Sequence, residues 1–369
     1  MKKLSIRNIL VPVDFSTISV QTVESAKYLA HQFGANIHVA HVHHWQYPAD
    51  FVGPVISSGF LPQSFEERRN KQLAEELKTI ASKAGLSPRS QTHLRTGASA
   101  FHEICKLAQE IPADLVVMPT HGYTGLKHAF LGSTAERVVQ HSPCPVFILR
   151  EKKQRAKTGR RLSISTILVP VDFSSCSRKG LQYAIGFANT FGARIILLHA
   201  TYLGYIYSAE GTALYDIPSL QEAARKNAER QMRKLLRTAN FGGVKFRTAF
   251  TEGSPALDIC AFAKDHDVDL IITSTHGLTG LEHVLIGSIA EKVVRHAPCS
   301  VLVVPAHPKI RAANLAKSGG RKTQTLASWQ KLRRSLPSKA FTKRDRKLAA
   351  HAFPERRKTN KFRESHFRR

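Results

Sequence analysis

Acidic side chains are scarce in this sequence. Its 369 residues hold 27 Asp and Glu against 55 Lys and Arg, a formal charge of +28. The imbalance is uneven: residues 307–369 carry 20 Lys and Arg but 3 Asp and Glu, so +17 of the excess sits there. An excess of one sign bears on solubility, acidic partners and association rate, not on fold. Cysteine is sparse as well. Cys105, Cys144, Cys176, Cys260 and Cys299 are odd in number, and no two make a CxxC motif. That argues against a disulfide framework or a zinc site and fits small buried residues in a reducing compartment. No run approaches the ~20 apolar residues that span a bilayer. The opening "MKKLSIRNILVPVDFS" lacks the apolar core and cleavage site of a signal peptide. A cytoplasmic protein without a membrane span is expected. Two familiar phosphate loops are also missing. No GKS or GKT follows a glycine loop, and no GxGxxG follows the first strand.

What is present is a duplication. "ILVPVDFS" occurs at 9–16 and at 167–174, and "FGA" at 33–35 and 191–193. Gly97 matches Gly253. "THGYTGLKHAFLGS" at 120–133 matches "THGLTGLEHVLIGS" at 275–288, and "SPCPVFIL" at 142–149 matches "APCSVLVV" at 297–304. The offset drifts only from 158 to 155. A period this long means a repeated domain rather than a solenoid, whose units run about 20–50 residues.

Within one copy, short apolar runs alternate with helical patterns. "NILVPVD", "NIHVAHVH", "RSQTHLRT", "DLVVMPT" and "CPVFIL" read as strands. Residues 17–33, 63–84, 99–110 and 132–141 read as helices, the first stopped by Gly34 and the third by Pro112. Alternation of this kind implies right-handed βαβ units, hence α/β class with two tandem doubly wound parallel-sheet domains. The boundaries read as domain one at 1–150, a charged linker at 151–163, domain two at 164–306 and a basic tail at 307–369. Pro/Gly-rich stretches at 44–62 and 202–218 read as long loops after the second strand of each copy. The tail is too poor in apolar clusters to offset its ordering entropy, so disorder is expected. A short amphipathic helix over 325–336 is the one pattern within it.

In an open α/β sheet, ligands sit at the carboxyl ends of the strands where the strand order reverses. The glycine loop follows strand four, and its Gly-Ser opens the last helix. Free N–H groups at such an end favour an anion, and glycine permits close backbone approach. Ser133 and Ser288 could cap that helix or donate to a phosphate oxygen; a plain capped turn is the competing reading. Asp14 and Asp172 end strand one. They suit a ribose hydroxyl or an adenine amine, or else cap the following helix with Ser16 or Ser174. "HVHH" at 41–44 has alternate histidines, as a metal site would, but the second copy reads "HATY". His121 and His276 lack a neighbouring nucleophile and acid in sequence. Cys144 and Cys299, flanking strand five, read as packing residues.

"ILVPVDFS", "THGxTGL", "GSxAExVV" and "PCxVxxV", in this order, resemble the universal stress protein family over residues 5–305. The resemblance implies a five-stranded parallel sheet of order 3-2-1-4-5 in each copy and dimerisation through the fifth strand. It also implies, for many members, ATP binding through G-x-x-G-(nine residues)-G-S/T. Gly122, nine residues and Gly132-Ser133 match the last two parts of that motif, as do Gly277 and Gly287-Ser288. Pro119 and Ser274 stand where the first glycine would be. Tyr123 and Leu278 stand where ATP-binding members often carry a basic residue. The positions matching adenine contacts are Pro12, Asp14 and Val42 in copy one, and Pro170, Asp172 and Ala200 in copy two. The resemblance thus implies a non-enzymatic adenine-nucleotide-binding module for stress response or signalling. Its ligand would be ATP, AMP or ADP, with or without Mg. The two copies would form an intramolecular pseudo-dimer, with a further homodimer left open. A weak ATPase is disfavoured, because the loop offers no general base. The rival reading is a nucleic-acid or ribosome-associated protein with degenerate nucleotide sites. There the basic tail would hold RNA or another polyanion by counterion release, with Phe341, Phe353, Phe362 and Phe367 stacking on unpaired bases.

Overall fold

The computed structural model describes residues 4–43, 63–86, 90–120, 131–150, 162–201, 217–275 and 287–306. These residues fall within one compact unit. Most of the long loops and the linker, the tail and its candidate helix, His121, Gly122, His276 and Gly277 lie outside the described residues.

The first copy runs β1 (Asn8–Pro12), α1 (Thr17–Phe33), β2 (Asn36–His43), α2 (Gln63–Lys83), β3 (Gln91–Thr96), α3 (Ala100–Glu110), β4 (Leu115–Pro119), α4 (Ser133–His141) and β5 (Val146–Leu149). The second runs β6 (Thr166–Pro170), α5 (Ser175–Phe191), β7 (Arg194–Thr201), α6 (Ile217–Thr238), β8 (Phe246–Glu252), α7 (Pro255–Asp265), β9 (Leu270–Ser274), α8 (Ser288–His296) and β10 (Ser300–Val304). The local signals explain the boundaries. Ser16 accepts the Ser19 N–H at 3.4 Å to cap α1, and Gly34 ends it at φ +68°. Ser174 accepts the Ser177 N–H at 3.1 Å to cap α5, and Gly192 ends it at φ +67°. Glycine adopts that left-handed turn without the Cβ clash other residues meet.

The parallel strands of each copy are ordered 3-2-1-4-5. The two sheets are not separate, however. They join into one ten-stranded sheet, β3-β2-β1-β4-β5-β10-β9-β6-β7-β8. The join is antiparallel, with Ile148 opposite Val301, Phe147 opposite Leu302 and Val146 opposite Val303. An unpaired β5 would expose a row of backbone N–H and C=O groups beside apolar side chains; β10 pairs with that edge. The inner strands β1, β4, β5, β9 and β10 are buried almost throughout, which accounts for their continuous apolar runs. The edge strands β3 and β8 are largely exposed and correspondingly polar.

The helices cover both faces. One apolar layer gathers Val23 and Leu29 from α1 with Leu181 and Phe187 from α5; the other gathers α3, α4, α7 and α8. Each layer runs across both copies. Phe33 stacks edge-on against Phe187 and Phe191 at 5.2 and 5.7 Å, tying α1 to α5. Arg295 on α8 pairs with Glu136 on α4 at 3.1 Å.

Candidate functional site

The strand order reverses between β1 and β4 and again between β6 and β9. In each copy the second strand (β2 or β7) lies on one side of the first strand and the fourth strand (β4 or β9) on the other. The carboxyl ends there are where the fold offers a cleft.

At the end of β1 the ladder continues one step, the Val13 N–H donating to Ala40 at 2.8 Å. The chain then turns through Phe15 at φ +63°. In the second copy Val171 donates to Leu198 at 2.8 Å, and Phe173 stands at φ +65°. A bulky residue in that region costs roughly 1–3 kcal/mol and persists only where its surroundings hold it. The holding contact is the same in both copies. His41 Nδ1 lies 2.8 Å from the Val13 carbonyl, and its ring packs on Phe15 at 4.1 Å. His199 Nδ1 lies 2.7 Å from the Val171 carbonyl, and its ring packs on Phe173 at 4.6 Å. With a carbonyl as acceptor, Nδ1 carries the proton. Burial lowers the His41 pKa despite the Val13 bond, so its ring stays neutral near neutral pH.

This turn presents the aspartate. Asp14 Oδ1 accepts the Ser16 N–H at 3.2 Å and the Ser16 and Ser19 hydroxyls, each at 2.6 Å. Asp172 Oδ1 accepts the Ser174 N–H at 3.0 Å. Both carboxylates therefore also brace the helix start, as the capping alternative expects. Pro12 and Pro170 end their strands, and Val42 and Ala200 lie near the ends of β2 and β7.

On the other side of the cleft, the Gly132 N–H donates to the Thr120 carbonyl at 2.8 Å and the Gly287 N–H to Thr275 at 2.6 Å. The glycine loop is thus pinched shut at its base in both copies. A Cβ on Gly287 would stand 3.3 Å from the Thr275 carbonyl oxygen, so the backbones approach closely. Gly132 and Gly287 are themselves the N-caps of α4 and α8, at φ −61° and −69°, and neither helix has a side-chain cap. Ser133 and Ser288 are the first helical residues and are exposed. They do not cap, which corrects one of the two roles their position suggested. The leading N–H groups are left to the loop side of the cleft.

Among the described residues, no group of three His, Cys, Asp or Glu could hold a metal ion. Burial pushes the Cys144 thiol up to about 12 and Cys105 and Cys260 up to about 11, which keeps them protonated. Sequence reasoning missed the role of His41 and His199. Their repetition one residue before Val42 and Ala200 was the available signal.

Comparison with known proteins gives a consistent answer. The sequence model of the Universal stress protein family matches residues 5–150 and again 163–305. A universal stress protein of Methanocaldococcus jannaschii is 33% identical over 138 residues, covering 37% of this chain and 80% of its own. One of Bacillus subtilis is 29% identical over 143 residues, covering 37% of this chain and 97% of its own. A solved universal stress protein from Archaeoglobus fulgidus superposes with a TM-score of 0.51 over 82% of this chain and 97% of its own; at 20% identity this speaks to the fold.

Proposed function

The chain belongs to the universal stress protein family, and we propose that it is a cytoplasmic, non-enzymatic stress-response module that binds an adenine nucleotide in each domain. The observation that carries the reading is the glycine pinch, built twice. In both copies a glycine N–H closes the loop onto the fourth strand and hands over to a helix with no side-chain cap. Such an end suits a phosphate. The base and ribose would lie toward Pro12, Asp14 and Val42, or Pro170, Asp172 and Ala200. Each aspartate already has local donors, so it would contribute through its remaining acceptor capacity. The loop glycines Gly122 and Gly277 supply the second part of the sequence motif, whose first glycine is replaced by Pro119 and Ser274. ATP, ADP and AMP share the same recognition, with Mg joining where two or more phosphates are present. The pairing of β5 with β10 supports a self-contained pseudo-dimer.

Isothermal titration of the full chain with ATP tests the reading. Binding is expected, with at least about a tenfold loss in the Gly132→Val, Gly287→Val double variant, because a β-branched side chain blocks close approach. No heat from the wild type, or equal affinity in the double variant, would contradict it.

A further inference from the structure

Four buried side-chain atoms have no hydrogen-bond partner among the described residues: His38 Nε2, Arg150 Nε, Thr251 Oγ1 and Asp258 Oδ2. The last two are both related to Gly253, Thr251 two residues before it in the chain and Asp258 with its carboxylate against it. Thr251 pairs in register with Ala200 at the carboxyl ends of β8 and β7. Two residues on, Gly253 donates its N–H to Thr201 at 3.0 Å. A Cβ on Gly253 would stand 3.0 Å from Asp258 Oδ2, so the carboxylate lies against that glycine from the first turn of α7. Thr251 shares its side of β8 with Ala249, which packs against the layer containing Ile259 of α7.

The first domain fills the same positions differently. Val42 stands where the second has Ala200, and Arg95 where it has Thr251; their register is the same. Glu103 stands where it has Asp258. All three side chains are larger. Arg95 is paired with Glu110, and Glu103 lies 3.5 Å from His102. The second domain thus combines three shorter side chains with a hydroxyl and a carboxylate oxygen that are shut off from solvent and unpartnered.

We propose that Thr251 and Asp258 form a base-reading subsite found only in the second domain, specific for the amino edge of adenine. The inference rests on the nucleotide reading above and deepens it. A carboxylate oxygen only accepts, so the group facing Asp258 must be a hydrogen-bond donor, and on a purine base that donor is an N–H. A hydroxyl can donate as well, so Thr251 suits an acceptor beside that donor. A 6-aminopurine offers this pair, the exocyclic amine next to a ring nitrogen. A 6-oxopurine turns a carbonyl oxygen toward the carboxylate and is repelled. The subsite lies on the same side of the sheet ends as Ala200, the position matched to adenine in the second domain.

The test uses the full chain carrying Gly132→Val, so that the second domain is read alone. It is titrated with ATP and with inosine triphosphate. ATP is expected to bind at least about tenfold tighter, since a site built to bond an N–H rejects the analogue lacking it. Asp258→Asn, whose amide can donate to a 6-oxo group, should cancel or reverse the preference. Thr251→Val should weaken ATP by about tenfold. Equal affinity for the two nucleotides, or a ratio unchanged in Asp258→Asn, overturns the subsite while leaving nucleotide binding standing. Absence of ATP binding in the unmodified chain overturns both. If Gly132→Val fails to fold by circular dichroism, the ratio is read on the unmodified chain, where Asp258→Asn must change it at one of two sites.

Discussion

His41 and His199 show what the sequence leaves hidden at the residue scale. The repeated "VPVDFS" made Asp14 and Asp172 visible as site candidates. The histidines that hold the turn beneath them raised only a metal question. Their partner is a backbone carbonyl 28 positions earlier, and a carbonyl leaves no mark on residue type. A second histidine pair was equally hidden. His38 Nδ1 lies 3.0 Å from His93 Nε2, in the first domain alone; the second has Ile196 and Ala249 there. Burial lowers both pKa values below 6.5, helped by their mutual repulsion at His38 and by Arg95 at His93, with Glu110 opposing. The unfolded chain therefore binds protons below about pH 6.5 that the folded chain refuses, so this stability is full above that pH and falls as acid is added. Thermal unfolding should show a lower midpoint at about pH 5.5 than at about pH 7.5. The double variant His38→Ile, His93→Ala should flatten part of that slope. An unchanged slope in the variant would contradict the assignment.

At the scale of the element, hydrophobic period and turn residues marked the strands and helices of the first copy to within a few residues, and the second copy follows them through the duplication. Helix starts at glycine were less legible. "GS" before an apolar pattern suggests a serine cap, yet the glycine takes that place, because its N–H is committed to closing the loop on Thr120 or Thr275. Contacts between copies were also out of reach, since they depend on side chains where the duplication has diverged. Gly186 on α5 is one: its counterpart on α1 is Tyr28. A Cβ on Gly186 would stand 2.5 Å from the Leu4 Cβ of the other copy. Gly186→Val is therefore expected to destabilise the chain by about 1–3 kcal/mol through overpacking, read as a lower urea midpoint. An unchanged midpoint would mean that the amino-terminal segment does not seat there.

For the whole molecule, duplication fixes the architecture. One domain would expose β5; a second copy in the same chain supplies β10 against it. Both apolar layers then run through the full width of the sheet. The residues alone gave two α/β domains, and the family resemblance added the fifth-strand pairing. The apolar runs of β5 and β10, unlike the polar edge strands β3 and β8, mark them as interior strands but do not name the strand that pairs with each. The central claim is that one chain contains the paired arrangement and two adenine-nucleotide sites. Native mass spectrometry of residues 1–306 with ATP tests it most directly. The account predicts a single chain that takes up as many as two nucleotides, while residues 1–150 alone form a dimer. A 1–306 species that is itself an obligate dimer, or one that takes up no nucleotide at saturating ATP, would contradict it.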